Sequence, residues 1–217
     1  MFDFSSTSTY QIASSSYTWL HTCSGNNRYL LVGISILSVL GSSVSNITYN
    51  GVSLSLIRAR SSVAGAIRVE QWGLKNPSFG SNSIVVTLST ALASVANAVS
   101  FKNVNQLTPI RTSNDNTDTN VGAADATLTL EAQVGELLVD TVATNDTSIT
   151  ASDGQTEQLN ESGALGSSGI STKIGSNCSW TDIGGLMTWT LVGSILVPTD
   201  TILNQSLRVR RRLLKVR

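Results

Sequence analysis

Asn46-Ile47-Thr48-Tyr49-Asn50-Gly51-Val52-Ser53-Leu54-Ser55-Leu56-Ile57 decides the class of fold. Ile47 and Tyr49 alternate with Thr48 before the central dipeptide, and Val52, Leu54 and Leu56 alternate with Ser53 and Ser55 after it. Period-2 alternation places one set of side chains on a buried face and the other in water. Asn50-Gly51 accepts the positive φ angles of a two-residue hairpin turn, so it joins the two runs as adjacent antiparallel strands.

The same grammar extends along the chain. Ile67 and Val69 alternate with Arg68 and Glu70, Ile84, Val86 and Leu88 with Val85 and Thr87, and Ala126, Leu128 and Leu130 with Thr127 and Thr129. Turn-forming residues separate the runs: Ser24-Gly25-Asn26-Asn27 parts Tyr17–Cys23 from Arg28–Leu37, and Asn76 to Asn82 parts Ala66–Leu74 from Ser83–Leu88. The spacing predicts ten to twelve short strands. Ser89–Asn97 fits either a short helix or a strand running into Phe101. Gln106–Ala124 reads as an exposed polar loop, and Asn160–Thr172, with Gly163, Gly166 and Gly169, as a flexible connection. The expected fold is all-β, an antiparallel β-sandwich of jelly-roll type over residues 1–198, followed over 199–217 by a linker and an extended C-terminal arm.

Ser and Thr supply 57 of the 217 residues, and only 13% are charged, about half the usual quarter. Such a surface is hydrated through hydroxyls and amides rather than charge. The net charge of zero hides an asymmetry: Arg208, Arg210, Arg211, Arg212, Lys215 and Arg217 fall in the last ten positions, leaving 8 basic against 14 acidic residues before them, a net of −6. As an extended strand the arm sets Arg208, Arg210 and Arg212 on one face and Leu207, Val209 and Leu213 largely on the other. That pattern suits addition to a neighbour's sheet edge, with the arginines against its acidic body. Nucleic acid is not the expected partner, because the body repels phosphate and the arm lacks aromatics for base stacking.

Cys23 and Cys178 are expected to be free thiols. The most apolar stretch, Tyr29 to Leu40, is too short to span a bilayer, so no membrane partner is expected. The chain begins Met1-Phe2-Asp3-Phe4, and no export signal is expected there.

Together, Tyr17-Thr-Trp-Leu-His-Thr-Cys-Ser-Gly-Asn-Asn-Arg-Tyr-Leu-Leu-Val-Gly-Ile-Ser-Ile36, Ile47-Thr-Tyr-Asn-Gly-Val-Ser-Leu54 and Glu70-Gln-Trp-Gly-Leu-Lys-Asn-Pro77 resemble a recurring β-sandwich module of bacteriophage virion proteins. Ala98-Val-Ser-Phe101, Gly154-Gln-Thr-Glu157 and Met187-Thr-Trp-Thr continue the resemblance, which covers roughly residues 15 to 197. The module occurs in capsid-decorating and fibre-like proteins. The resemblance implies a virion protein made in a host cytoplasm, and brings no catalytic residues with it.

Catalytic motifs are sparse. The sole histidine, His21, reads as structural or as a rim residue, no Gly-x-Ser-x-Gly elbow exists, and no phosphate-cradling glycine motif occurs. One His and two distant Cys do not make a zinc site. Asp115, Asn116, Asp118 and Asn120 offer oxygen ligands suited to calcium, at a spacing unlike an EF-hand loop. Neither metal nor cofactor is expected. Trp19, Trp72 and Trp189 lie in strand patterns and read as core, whereas Trp180, among polar residues, is expected to be exposed. The expected role is therefore non-enzymatic: a decoration or cement protein that oligomerises and binds the major capsid protein or another virion protein. The alternative is a receptor- or glycan-binding tail or fibre module built on Trp180, Asp115 and Asp118.

Overall fold

The computed structural model describes residues 1–8, 10–37, 41–63, 65–117, 125–163, 166–181 and 188–199. The basic arm, Leu207 to Arg217, and Asp118 lie outside the described residues.

The first half of the chain forms β1 (Phe2–Thr7), β2 (Gln11–Cys23), β3 (Tyr29–Leu37), β4 (Val44–Tyr49), β5 (Val52–Ser53), β6 (Ser55–Ser61), β7 (Ile67–Lys75) and β8 (Gly80–Phe101). The second half forms β9 (Ile110–Thr117), β10 (Ala126–Thr129), β11 (Leu137–Thr144), β12 (Thr150–Ala151), β13 (Thr156–Gly163), β14 (Gly166–Ile174), β15 (Asn177–Thr181) and β16 (Trp189–Leu196). The fold is all-β, with antiparallel sheets packed face to face; among the described residues the strands are more numerous than the sequence spacing suggests, and β2 and β8 are longer.

The 22-residue β8 is the spine of the first sheet. One edge carries β1 and β2, which pair in turn along it from Phe101 down to Gly80. Its other edge carries β3 opposite Ala93–Phe101 and β4 opposite Ile84–Leu88. Ser89, Thr90 and Ala91 are exposed where the ribbon turns over, so its two halves face each other in a nearly closed, barrel-like sheet. Ile47, Tyr49, Ile84, Val86 and Leu88 from one half meet Leu30, Val32, Ile34, Ile36, Ala96 and Ala98 from the other. Each fully buried Leu, Ile or Val side chain among them contributes roughly 1.5–3 kcal/mol. Ser89–Asn97 is thus strand. The Asn50-Gly51 turn forms as expected, with φ of 49° and 76°, joining β4 to β5, but the run after it divides: β5 pairs with β4 and β6 with β7, so Leu54 is buried while Val52 and Leu56 are exposed.

The back of β3 and β8 packs on a central five-stranded sheet ordered β13-β14-β11-β16-β9. Leu31, Val99 and Phe101 touch Val139, Ile170 and Leu196, while Leu37, Val69 and Ala93 pack with Ala143 and Val192. The far face of the central sheet is covered by a third, β10-β15-β12, through Leu138, Val142, Leu191 and Ile195 against Leu128, Cys178 and Trp180. Hence β11, β14 and β16 are buried on both faces, not alternately wet.

Two segments differ from the sequence reading. Within the supposed loop Gln106–Ala124, Ile110–Thr117 is strand β9, an edge strand whose backbone pairs with β16 although its side chains are mostly polar. The supposed flexible connection Asn160–Thr172 supplies parts of β13 and β14. Its small residues serve close packing: a Cβ on Gly169 would overlap the Trp180 ring. Both cysteines are free and buried, Cys23 in the first core and Cys178 in the third.

Candidate functional site

Trp180, expected at the surface, is fully buried. β15 presents it inward from the outer sheet, and its Nε1 donates to Asp140 Oδ1 on β11 at 2.7 Å. The Asp140 carboxylate also accepts from Ser171 Oγ at 2.5 Å and from Gln155 Nε2 at 3.1 Å. Gln155 Oε1 in turn accepts the Ser179 amide, which ties the loop before β13 to β15. Burial pushes Asp140 up to about 6, against the pull of Ser171, Trp180, Cys178 and Gln155, which favour its charged form. The neighbouring Cys178 thiol is pushed far up by burial and by Asp140, so it stays protonated and unreactive. This cluster fastens two sheets together and leaves no aromatic platform for a sugar at Trp180. One signal for it was legible, a lone carboxylate within the apolar run Leu137 to Ala143; Gln155 and Ser171 carried none.

Asp115, offered above as a ligand for calcium, is already neutralised. Arg58 Nε lies 2.5 Å from its Oδ2 and Arg60 Nη1 3.4 Å from its Oδ1, joining edge strands β6 and β9. Two guanidinium groups occupy the positions a cation would need. Among the described residues no group of three or more His, Cys, Asp or Glu side chains could hold a metal.

His21 is another buried titratable group. Trp19 Nε1 donates to Ser6 Oγ at 3.0 Å, and the same oxygen lies in hydrogen-bond contact with His21 Nδ1 at 2.7 Å. The other ring nitrogen, Nε2, is buried without a partner. Phe4 and Tyr49 pack edge-on to the ring. Burial pushes His21 down to about 4, partly opposed by Asp3. A hydroxyl beside an imidazole begins a nucleophilic site, but this base is too weak for the task and Ser6 is held by Trp19. The trio pins β1 onto β2.

Other carboxylates are similarly committed. Glu70 accepts from Arg68 Nε at 2.5 Å and Trp72 Nε1 at 2.8 Å, and Glu136 takes Arg111 Nε on both oxygens and the Gln133 amide at 2.7 Å. Trp189 is buried, and Trp19 and Trp72 pack partly buried against the first core, as strand placement implied. No family model matches the chain, and no curated protein matches it.

Proposed function

We propose that the chain is a non-enzymatic structural protein of a bacteriophage virion that decorates the outer capsid, binding the shell and neighbouring copies of itself. The observation that carries this reading is the inward commitment of its chemistry-bearing side chains. Asp140, Glu70 (through the Val44 amide of β4), Glu136, Asp115 and His21 are each spent on joining strands or sheets, and the strands carry outward a surface rich in Ser, Thr and Asn. Buried polar networks of this kind rigidify a scaffold, and a rigid hydroxylated body suits repeated weak contacts on a lattice. The basic arm, Leu207, Arg208, Arg210, Arg211, Arg212, Lys215 and Arg217, supplies a tether whose charge complements the acidic remainder of the chain.

The test is to incubate the full chain, and a chain ending at Ser206, with capsids of the phage that encodes it and to sediment the particles. The full chain is expected to co-sediment in a fixed ratio to the shell protein, and the truncated chain more weakly. Recovery only with purified tails, or with neither particle, overturns the proposal.

A further inference from the structure

Four of the most exposed apolar side chains sit at one end of the molecule, each on a different connection or strand end: Val134 (97% exposed), Leu107 (85%), Ile174 (74%) and Phe79 (70%), while Ile12 and Val63 are exposed towards the other end. Strand register shows that these sites share an end. Tyr29 on β3 lies opposite both Lys75, the last residue of β7, and Phe101, the last of β8. Leu137 on β11 lies opposite both Ile174 and Leu196. The two sets meet where Val104 bridges Pro198 and where Tyr29, Phe101, Leu137 and Leu196 share one core.

The connections carrying these side chains are held in place. The Asn76 amide donates to the Arg28 carbonyl at 2.9 Å, and the Arg28 guanidinium lies 5.8 Å from the Phe79 ring centre. Asn105 Oδ1 accepts the Leu107 amide at 2.8 Å, and Arg111–Glu136 braces the turn beneath Val134. Scattered apolar residues are normal on a surface, but fixed apolar tips gathered at one end mark a contact site.

Charge is divided along the same axis. Among the described residues the loop end carries five cations (Arg28, Lys75, Lys102, Arg111, Lys173) and four carboxylates (Asp3, Glu131, Glu136, Asp153), of which Lys102–Asp3, Arg111–Glu136 and Lys173–Asp153 are paired, and the rest of the body three cations and seven carboxylates, Asp140 among them being buried. Asp125, Asp146 and Glu161 lie at the opposite end, beside the starts or ends of β10, β11 and β13 remote from the tips. The cations Arg60 and Arg68 there are each answered by a carboxylate. Thr199, the last described residue, donates its amide to Asn103 O at the loop end, and the sequence that follows it has six basic residues in its last ten.

We infer that the loop end is a docking surface and that its occupant is the acidic opposite end of a second copy, giving a head-to-tail contact. Such a contact uses two different patches on each copy and therefore propagates into open rows or closes into rings. The inference rests on the assembly role proposed above for its choice of occupant, and it specifies which surface mediates contact between copies.

Sedimentation of the full chain over a concentration series, at low and at high salt, tests it. Wild type is expected to form a growing series of oligomers that shrinks as salt screens the contact. Leu107→Asp/Val134→Asp, which disables the loop end, and Asp125→Lys/Glu161→Lys, which disables the acidic end, are each expected to weaken self-association by about ten-fold or more. The altered loop residues are so exposed that folding is spared, which circular dichroism checks. An equimolar mixture of the two variants is expected to form one-to-one dimers that grow no further, because one intact loop end and one intact acidic end remain. A wild-type chain monomeric at every concentration, variants that associate like wild type, or a dimer that mixing does not restore overturns the inference. Wild type that is monomeric yet binds anionic vesicles also overturns it, in favour of a lipid surface. A monomeric chain that still decorates capsids sinks this inference alone, whereas an oligomeric chain absent from capsids sinks the capsid role alone.

Discussion

Ser194 on β16 donates its hydroxyl to Gln71 Oε1 on β7 at 2.6 Å, across the face where the two halves of the chain meet. The Gln71 amide nitrogen reaches the Val139 and Val192 carbonyls at 3.2 Å and Thr141 Oγ1 at 3.1 Å, so one side chain from the first sheet engages both β11 and β16. Beside it Ser35 Oγ donates to Ser168 Oγ at 2.6 Å, and Asn97 Nδ2 to the same oxygen at 3.1 Å. A wholly apolar sheet-to-sheet face tolerates sliding, whereas these bonds form in one alignment, which a side chain on Gly33 would disturb by overlapping Thr141.

Gln71→Met should therefore destabilise the fold by about 2–3 kcal/mol, because it keeps the volume but strands the buried Ser194 and Thr141 hydroxyls. Pairing it with Ser194→Ala should recover part of that loss. Urea titrations of the four members of the cycle check this, and a coupling below about 0.5 kcal/mol would show that the contact does not hold the halves together.

Gly169→Ala should cost about 1–3 kcal/mol, lowering the melting temperature by roughly 2–10 °C, since the added methyl meets the Trp180 ring. Ala at the exposed Gly154 is a poor control because of its positive φ, so Ser162→Ala on the same hairpin serves. If Gly169→Ala melts with wild type, Trp180 is not packed on β14. Acrylamide quenching separately reports whether Trp180 is shielded.

The alternating runs and the Asn-Gly turn made the outer strands legible, because a strand with one wet face advertises its register. The central sheet was harder to read. Ser167 to Thr172 is buried on both faces, but Ser, Gly and Thr there resemble a linker when the sequence is read without its partners. Likewise β9 is polar, and its strand state comes from pairing with β16. Trp180 was misplaced for a related reason: its neighbours Asn177, Ser179 and Thr181 face outward or pair, and the Asp140 that satisfies its indole lies 40 positions away. Burial shared among four layers leaves no periodic mark on a single segment.

Calcium should leave the protein unchanged. Asp115 is screened by Arg58 and Arg60, so added calcium or a chelator should shift the melting temperature by less than about 1 °C, by the linkage of ligand binding to stability. Asp115→Asn should lower stability by about 1 kcal/mol or less, the arginines being partly exposed. A calcium-dependent rise in melting temperature that Asp115→Asn abolishes would restore this residue as a ligand.

Asp140 and His21 should impose opposite pH dependences that conceal each other in the wild type. Asp140 binds its proton more tightly folded, at about 6, than its ordinary 3.8, so its contribution to stability grows as pH falls from about 6 towards 3.8. His21 binds its proton less tightly folded, at about 4, than its ordinary 6.5, so its contribution is present above pH 6.5 and is lost as pH falls towards 4. Each shift is worth roughly 3 kcal/mol over its window, at about 1.4 kcal/mol per pH unit. Asp140→Asn keeps an acceptor for Trp180 and removes the first dependence, so this variant should lose stability steeply between pH 6.5 and 4. His21→Gln removes the second and should gain stability over the lower part of that range. Thermal melts of the three proteins from pH 7 to pH 4 decide the matter: parallel curves would mean that neither group changes its proton affinity on folding.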